Sequence, residues 1–319
     1  MEWRTRVTEL LGCKYPILEG AFGGLGRWEL AAAVAEAGAY GTITASVSRT
    51  PEKLREDIKR CKDATSGSFG VNLSFGSCPQ MEEMLEVCIE EGVPVETAVF
   101  RPDSLAPRIK EAGVKWIHKT ARVKDALHAE RLGADAIIVV GLEGVGRKNP
   151  NQLPTLITTV WAKREIKVPF IAAGGIGDAR GFLGALGMGA DGIMMGTAFL
   201  ATKECSMGDA AKEAMVRSIP DHPRLRHRVL ADVDAEAYRE VLEMRNKVPL
   251  DEFLHMLRQL EHKELSWKPI AESPGPEPTK VGSLAVGVID RVPTAKELID
   301  SIVHGAEELL DSYQFLKTR

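Results

Sequence analysis

Two glycine-rich runs, IAAGGIGD (171–178) and MMGTAF (194–199), each close a short apolar stretch and open a helical one. Gly174, Gly175 and Gly196 carry no side chain, so their backbone N–H groups can be aimed at an anion, and Thr197 adds a hydroxyl. One such run is explained by a tight turn; two following consecutive strands are the pattern of a phosphate site. Asn72 and Lys119 break the apolar runs FGVNLS and VKWIHK. Asn offers both a donor and an acceptor edge, and a Lys ammonium stabilises negative charge. Beside a phosphate site this pair suits an isoalloxazine ring, which points to FMN, with one phosphate and no adenylate. A third glycine-rich run, Gly20-Ala21-Phe22-Gly23-Gly24-Leu25-Gly26, lets a flat ligand approach the backbone. It is not a dinucleotide fingerprint, because no G-x-G-x-x-G opens a helix there.

The elements that must position these residues are legible as a repeat. AEAGAYGTIT (35–44), CIEEGVPVETAV (88–99), IKEAGVKWIHK (109–119), AERLGADAIIVV (129–140) and ALGMGADGIMMG (185–196) each run from a helix end through glycine into an apolar strand. Gly38, Gly92, Gly113, Gly133 and Gly189 stand where a left-handed cap ends a helix. Strands are expected at 15–21, 40–45, 69–74, 94–100, 114–119, 135–141, 169–175 and 191–196. Their continuous apolar character marks a parallel sheet covered on both faces. Helices fall between them, at 27–37, 51–62, 79–91, 122–132, 152–165 and 178–188, with Pro51 after Thr50 and Asp178 after Gly177 as start signals. Eight β/α units predict an α/β chain folded as a TIM (β/α)8 barrel, whose active site lies on the loops after the strands. An open doubly wound sheet is the rival arrangement.

The repeat stops near residue 200. The stretch 201–270 is polar and helical in character, with apolar residues at helical spacing in EAYREVLEMRNK and LDEFLHMLRQLEHKE, and SPGPEPTKVGS (273–283) after it is a loop. The expected organisation is therefore a barrel domain, 1–200 and 281–319, with a helical lobe, 201–280, covering the active site. A last helix over 293–316 starts at Thr294 with Glu297 three residues on, a capping box, and serves as the barrel's eighth helix.

Bulk properties narrow the function. The 319 residues, 44% of them hydrophobic, supply a sizeable core, and a net charge of -4 without a Lys/Arg run gives nucleic acid or anionic membrane no purchase. No apolar run is long enough to span a bilayer or serve as a secretory segment, so the chain reads as cytoplasmic. The five cysteines show no CxxC pairing, which speaks against disulfides or zinc, and Cys13 and Cys88 read as buried thiols. No metal is expected. Alternation places His118 on the opposite face of its strand from Lys119, towards the helices, while His222 and His227, in the helical lobe, read as solvated, the alternative being that they reach the site from above.

YPILEGAFGG, FGVNL, HKTARVKDALHAERLGADAIIVVG, PFIAAGGIGD, ADGIMMGTAFLATKE and GSLAVGVIDRVPTAKEL together resemble the nitronate monooxygenase (2-nitropropane dioxygenase) family, which includes FMN-dependent enoyl-ACP reductases and NADH:quinone reductases. The resemblance covers most of the chain. It implies an FMN-containing barrel with a helical lobe, and FMN contacts at Gly20, Ala21, Phe22, Gly23, Asn72, Lys119, Val140, Gly144, Ala173, Gly174, Gly175, Gly196 and Thr197. One loop departs from the pattern. Relatives carry G-x-E-A-G-G-H after strand 6, with the His as acid or base; here the loop reads Gly141-Leu142-Glu143-Gly144-Val145-Gly146-Arg147. Arg stays protonated and cannot act as an ordinary base, though it can hold an anion. The first loop also has Ala21-Phe22-Gly23 where relatives have proline and methionine. Arg147 and Glu143 are thus the catalytic candidates, Glu143 as acid or base or as a cap of the loop.

The leading expectation is an FMN-dependent oxidoreductase of that family, atypical in lacking the catalytic His, reduced by NAD(P)H or by its substrate. The alternatives are an enoyl-thioester or quinone reductase, in which Arg147 and Lys148 bind a phosphate or carboxylate, and a flavin-free phosphate-binding barrel such as an isomerase or aldolase. The partner is a small-molecule substrate, anionic or a thioester, and a homodimer is compatible with the sequence.

Overall fold

The computed structural model describes residues 1–98, 102–146, 149, 151–230, 237, 240, 241, 243, 244, 247–264, 279 and 281–313. Every expected strand forms, trimmed to its core: β1 Ile17–Glu19, β2 Gly41–Thr44, β3 Phe69–Ser74, β4 Val95–Ala98, β5 Trp116–Thr120, β6 Ala136–Val140, β7 Phe170–Ala173 and β8 Gly192–Met195. All seven ladders between them are parallel, in the order β1-β8-β7-β6-β5-β4-β3-β2. A parallel bridge between Leu18 and Tyr40 joins the two ends, with Glu19 N donating to Tyr40 O at 2.8 Å and Tyr40 N to Ile17 O at 2.9 Å. Strict sequential order and closure exclude the open doubly wound sheet; the fold is a TIM barrel. At the closing seam, where the ladder is a single bridge, the buried Glu19 carboxyl accepts from Thr42 N at 2.9 Å and takes the place of a missing strand partner. Burial pushes that carboxyl's pKa well above its usual range.

The helices alternate with the strands: α1 Arg6–Leu11, α2 Trp28–Glu36, α3 Ala45–Ser48, α4 Pro51–Ala64, α5 Met81–Glu90, α6 Ala106–Ala112, α7 Val123–Leu132, α8 Thr155–Glu165, α9 Ala179–Gly187, α10 Thr197–Leu200, α11 Asp209–Arg217 and α12 Pro223–Leu230. Their ends obey local chemistry. Thr50 accepts from Lys53 N and Asp178 from Gly181 N, while Thr294 and Glu297 cap each other's backbone at the start of the last helix, Ala295–Ser312. The five expected cap glycines all take positive φ, between 64° and 101°. The last helix packs between α9 and α2, completing the outer ring; Gly305 lets it approach so closely that an added Cβ would stand 2.9 Å from Ala179 Cβ.

Inside the barrel, Leu18, Tyr40, Ile117, Ile138, Ile171 and Met194 form one apolar plug with Val7 and Leu11 of α1. That helix stoppers the N-terminal end of the strands. Arg6 fixes it there, donating from Nε and Nη2 to the two Asp191 carboxylate oxygens at 2.9 and 2.6 Å. With that end sealed, the C-terminal end is the open mouth. Leu254, on the helix Leu250–Glu264, presses on the turn after β3, where a Cβ on Gly76 would come within 2.7 Å of its Cδ1. Arg228 of α12 donates to Gly282 O at 2.8 Å. Half of EAYREVLEMRNK and most of 273–280 lie outside the described residues. No helix among the described residues is long and apolar enough to cross a membrane.

Candidate functional site

The site is built at the C-terminal ends of the strands, and the β1 end of it is closed by backbone. Gly20 N donates to Met195 O at 2.8 Å, and an added Cβ on Gly20 would lie 3.2 Å from Gly196 Cα. A side chain at Gly20 would press on the backbone after β8, so glycine eases the close meeting of the turns after β1 and β8. Ala21 and Phe22 continue from there; Phe22 N donates to Thr44 Oγ1 at 3.1 Å, and its buried ring edges the open face of Gly196. Gly23 is exposed, with nothing within 4 Å of its Cβ position.

Next to β8 round the barrel stand the turns after β7 and β6. Gly174 and Gly175 adopt φ of 106° and 73°, conformations that L side chains seldom take. Gly174 sits against Thr155 and Gly141, Gly144 against Val140, and Ala173 O accepts from Gly141 N at 2.8 Å. Glu143 Oε2 accepts from both Thr155 N and Thr155 Oγ1 at 2.7 Å. It therefore caps α8 from across the loop, since Pro154 at the N-cap position supplies no side-chain oxygen. Arg147 and Lys148 lie outside the described residues.

Thr197 is buried, and its hydroxyl is engaged: it accepts from Ser283 N at 2.9 Å and shares a 2.8 Å hydrogen bond with Ser283 Oγ. Leu284 N in turn donates to Glu143 O at 3.2 Å. The segment 282–288 thus ties the β6 and β8 loops together from outside the barrel mouth.

Inside the mouth, β3, β4 and β5 present one polar layer. Asn72 Nδ2 donates to Glu96 Oε1 at 2.6 Å, Ser74 Oγ donates to Asn72 Oδ1 at 2.6 Å, and Lys119 Nζ pairs with the same Glu96 oxygen at 3.1 Å. Asn72 and Glu96 are fully buried and Lys119 partly so. Glu96 escaped sequence reasoning, although its position in register with Asn72 places it between the two residues that were singled out. Gln152 was missed as well; its Nε2 donates to Val140 O at 2.7 Å while its buried Oε1 has no partner among the described residues.

The histidines divide. His118 is buried against Thr97 Oγ1 at 2.9 Å, on the face away from Lys119, as alternation requires. His222 is not solvated: it is 5% exposed, and its Nδ1 accepts from Arg224 N at 3.2 Å to cap α12. The His227 side chain is not among those described. Burial pushes the Cys13 and Cys61 thiols up to about 12, far from the range of a nucleophile. A groove of about 480 Å³ between α9 and the last helix lies behind the Gly177–Ala179 turn and shares none of the mouth residues.

These residues fit FMN. Gly174 and Gly175 hold turns that L side chains seldom adopt, with Thr155, Gly141 and Glu143 packed where a Cβ would stand; Gly196 leaves its Cβ space open as far as Phe22 Cε1 at 3.5 Å, and the Asn72–Glu96–Lys119 layer supplies donors and a cation inside the barrel.

Comparison with known proteins gives a consistent result. The family model described as nitronate monooxygenase matches residues 4–305. A Mycobacterium tuberculosis protein named (3aS,4S,5R,7aS)-5-hydroxy-7a-methyl-1-oxo-octahydro-1H-indene-4-carboxyl-CoA dehydrogenase is 31% identical, over 100% of this chain and 98% of its own length. A probable nitronate monooxygenase of Staphylococcus aureus is 30% identical over 67% of this chain and 73% of its own. Among solved structures, FabK from Thermotoga maritima superposes with a TM-score of 0.77 at 30% identity, covering 98% of this chain and 99% of that one.

Proposed function

The chain belongs to the nitronate monooxygenase family, and from that premise we propose that it is an FMN-dependent oxidoreductase acting on a small anionic acyl thioester. The observation that carries the cofactor is the pairing of the glycine turns after β7 and β8 with the Asn72–Glu96–Lys119 layer in one barrel mouth. Gly174, Gly175, Gly196 and Thr197 would hold the phosphate, the last through its backbone. Gly20 to Gly23, Val140, Gly144 and Ala173 would flank the ring, with Asn72 and Lys119 at its polar edge. FMN, when bound, accepts and returns an electron pair. Lys119 supports negative charge at that edge, and the glycine turns fix the cofactor without contributing protons.

Two facts favour a thioester over a nitronate. A relative that aligns with the whole chain is named a carboxyl-CoA dehydrogenase, whereas a nitronate-named relative aligns with two thirds of it. Arg147 also stands where the family's His would act as base, and an arginine is suited to a carboxylate or phosphate fork rather than to proton abstraction. The reductant on this reading is NAD(P)H or the thioester itself.

The test is direct. Purified protein should be yellow, with absorbance near ~450 nm from the flavin, and anaerobic addition of acyl-CoA or NAD(P)H should bleach it. A colourless protein that takes up no FMN on reconstitution returns the chain to the flavin-free phosphate-binding alternative. Bleaching by nitronates alone removes the thioester.

A further inference from the structure

Lys119 does not meet the barrel mouth as a free cation. Its ammonium lies 3.1 Å from Glu96 Oε1, with the Glu96 side chain 3% exposed and the Lys119 side chain 19% exposed. The same Glu96 oxygen takes the Asn72 amide at 2.6 Å, so one carboxylate oxygen fixes both polar residues of the layer. The other, Oε2, is buried without a partner among the described residues, which leaves its charge unspent on hydrogen bonds. In the next layer down, Tyr40 places its hydroxyl beside Gly70, and burial first, then the nearby Glu96 charge, push its pKa well above the usual value.

We infer that Glu96 is a positioning residue that sets the flavin's reduction potential by neutralising Lys119, so that the mouth presents a hydrogen-bonding ammonium within a net-neutral pair. The inference rests on the FMN reading above. An isolated, mostly buried ammonium would bias the ring strongly towards its anionic reduced form, because charges in a low-dielectric site act over several ångströms. Paired with Glu96, the field at the ring becomes that of a short dipole, and the ammonium keeps its direction through the carboxylate.

Substitution of charge alone gives a sign that a structural role cannot. Glu96→Gln keeps an oxygen for the Asn72 amide and for Lys119 Nζ while removing the negative charge. The flavin midpoint potential should therefore rise, and sulfite, which adds to oxidised flavin and leaves negative charge on the ring, should bind on the order of tenfold tighter. Lys119→Met should move both readouts the other way, since it strips the cation and leaves Glu96 uncompensated. The doubly neutral Glu96→Gln/Lys119→Met protein, which buries no lone charge, should sit above Lys119→Met in potential; this comparison holds even if Glu96→Gln alone does not fold. Unchanged or lowered potential and weaker sulfite binding in Glu96→Gln, or a double variant no higher than Lys119→Met, overturn the inference while leaving FMN in place. Failure of the wild-type protein to take up FMN overturns the cofactor reading and the inference with it.

Discussion

Arg147 is the residue on which the choice of chemistry turns, because a side chain that stays protonated cannot take the proton that a His at that place would take. If it anchors an anion, Arg147→Ala should raise KM for an anionic thioester by about tenfold or more, the loss of a charged hydrogen bond being worth about 1.5–3 kcal/mol. Single-turnover oxidation of the reduced flavin should change little. Arg147→His should bring in nitronate oxidation, since it restores a base that titrates near neutrality. An unchanged KM in Arg147→Ala would reduce the loop after β6 to a structural role. Lys119 and Asn72 were legible in the sequence because each is a polar interruption of an apolar run. Glu96 was not, since in VETA it is followed by Thr97 and the pair reads as an ordinary polar strand. Only the parallel register of β3, β4 and β5 turns Glu96 inward between them and Thr97 outward onto Trp116 and His118.

At the scale of elements, strands and helices followed from local signals, and what escaped was held by contacts distant in sequence. Caps such as Thr50, Asp178 and Thr294 act within one turn and were therefore visible. The Thr197–Ser283 hydrogen bond spans 86 residues, so Thr197 read as a free hydroxyl when it is in fact the anchor of the 282–288 segment. The His222 cap was hidden by its basic surroundings, DHPRLRHR, which resemble a solvated face. Glu143 likewise serves α8 from twelve residues away. Glu143→Ala should lower stability by about 1 kcal/mol through the lost cap, read as a drop in melting temperature, and a larger loss of flavin than of stability would show that the loop also shapes the site. For the turns proposed to hold the phosphate, the cleaner probe is Gly196→Asp. Gly196 has an ordinary φ of -101°, and its Cβ would lie 3.5 Å from Phe22 Cε1, a normal contact. The variant should fold and purify colourless, because the added carboxylate repels the phosphate; full flavin occupancy would place the phosphate elsewhere. Gly175→Asp mixes that effect with strain from its φ of 73° and its closeness to Glu143.

The whole molecule depends on a division of labour between the two ends of the barrel: one is stoppered so that the other can stay open. The stopper is α1, and its attachment is the bidentate Arg6–Asp191 pair, reinforced by Phe170 N donating to Asp191 Oδ2 at 3.0 Å. Burial alone would raise the Asp191 pKa, but the Arg6 hydrogen bonds, the Phe170 amide and the charges of Arg6 and Lys163 outweigh it, and the net shift is downward from 3.8. A carboxylate whose folded pKa is depressed contributes stability that is fully present above its unfolded value, near ~3.9, and that is lost as pH falls through the folded one. Asp191→Asn should therefore destabilise the protein by about 2 kcal/mol at pH 7, in the range for hydrogen bonds to charged groups. The gap between wild type and variant should narrow below about pH 4, where the wild-type carboxylate begins to take up a proton. Urea unfolding at pH 7 and again near pH 3 measures both quantities. A gap that stays constant across that interval would mean that Asp191 holds α1 by shape and backbone contact rather than by its charge.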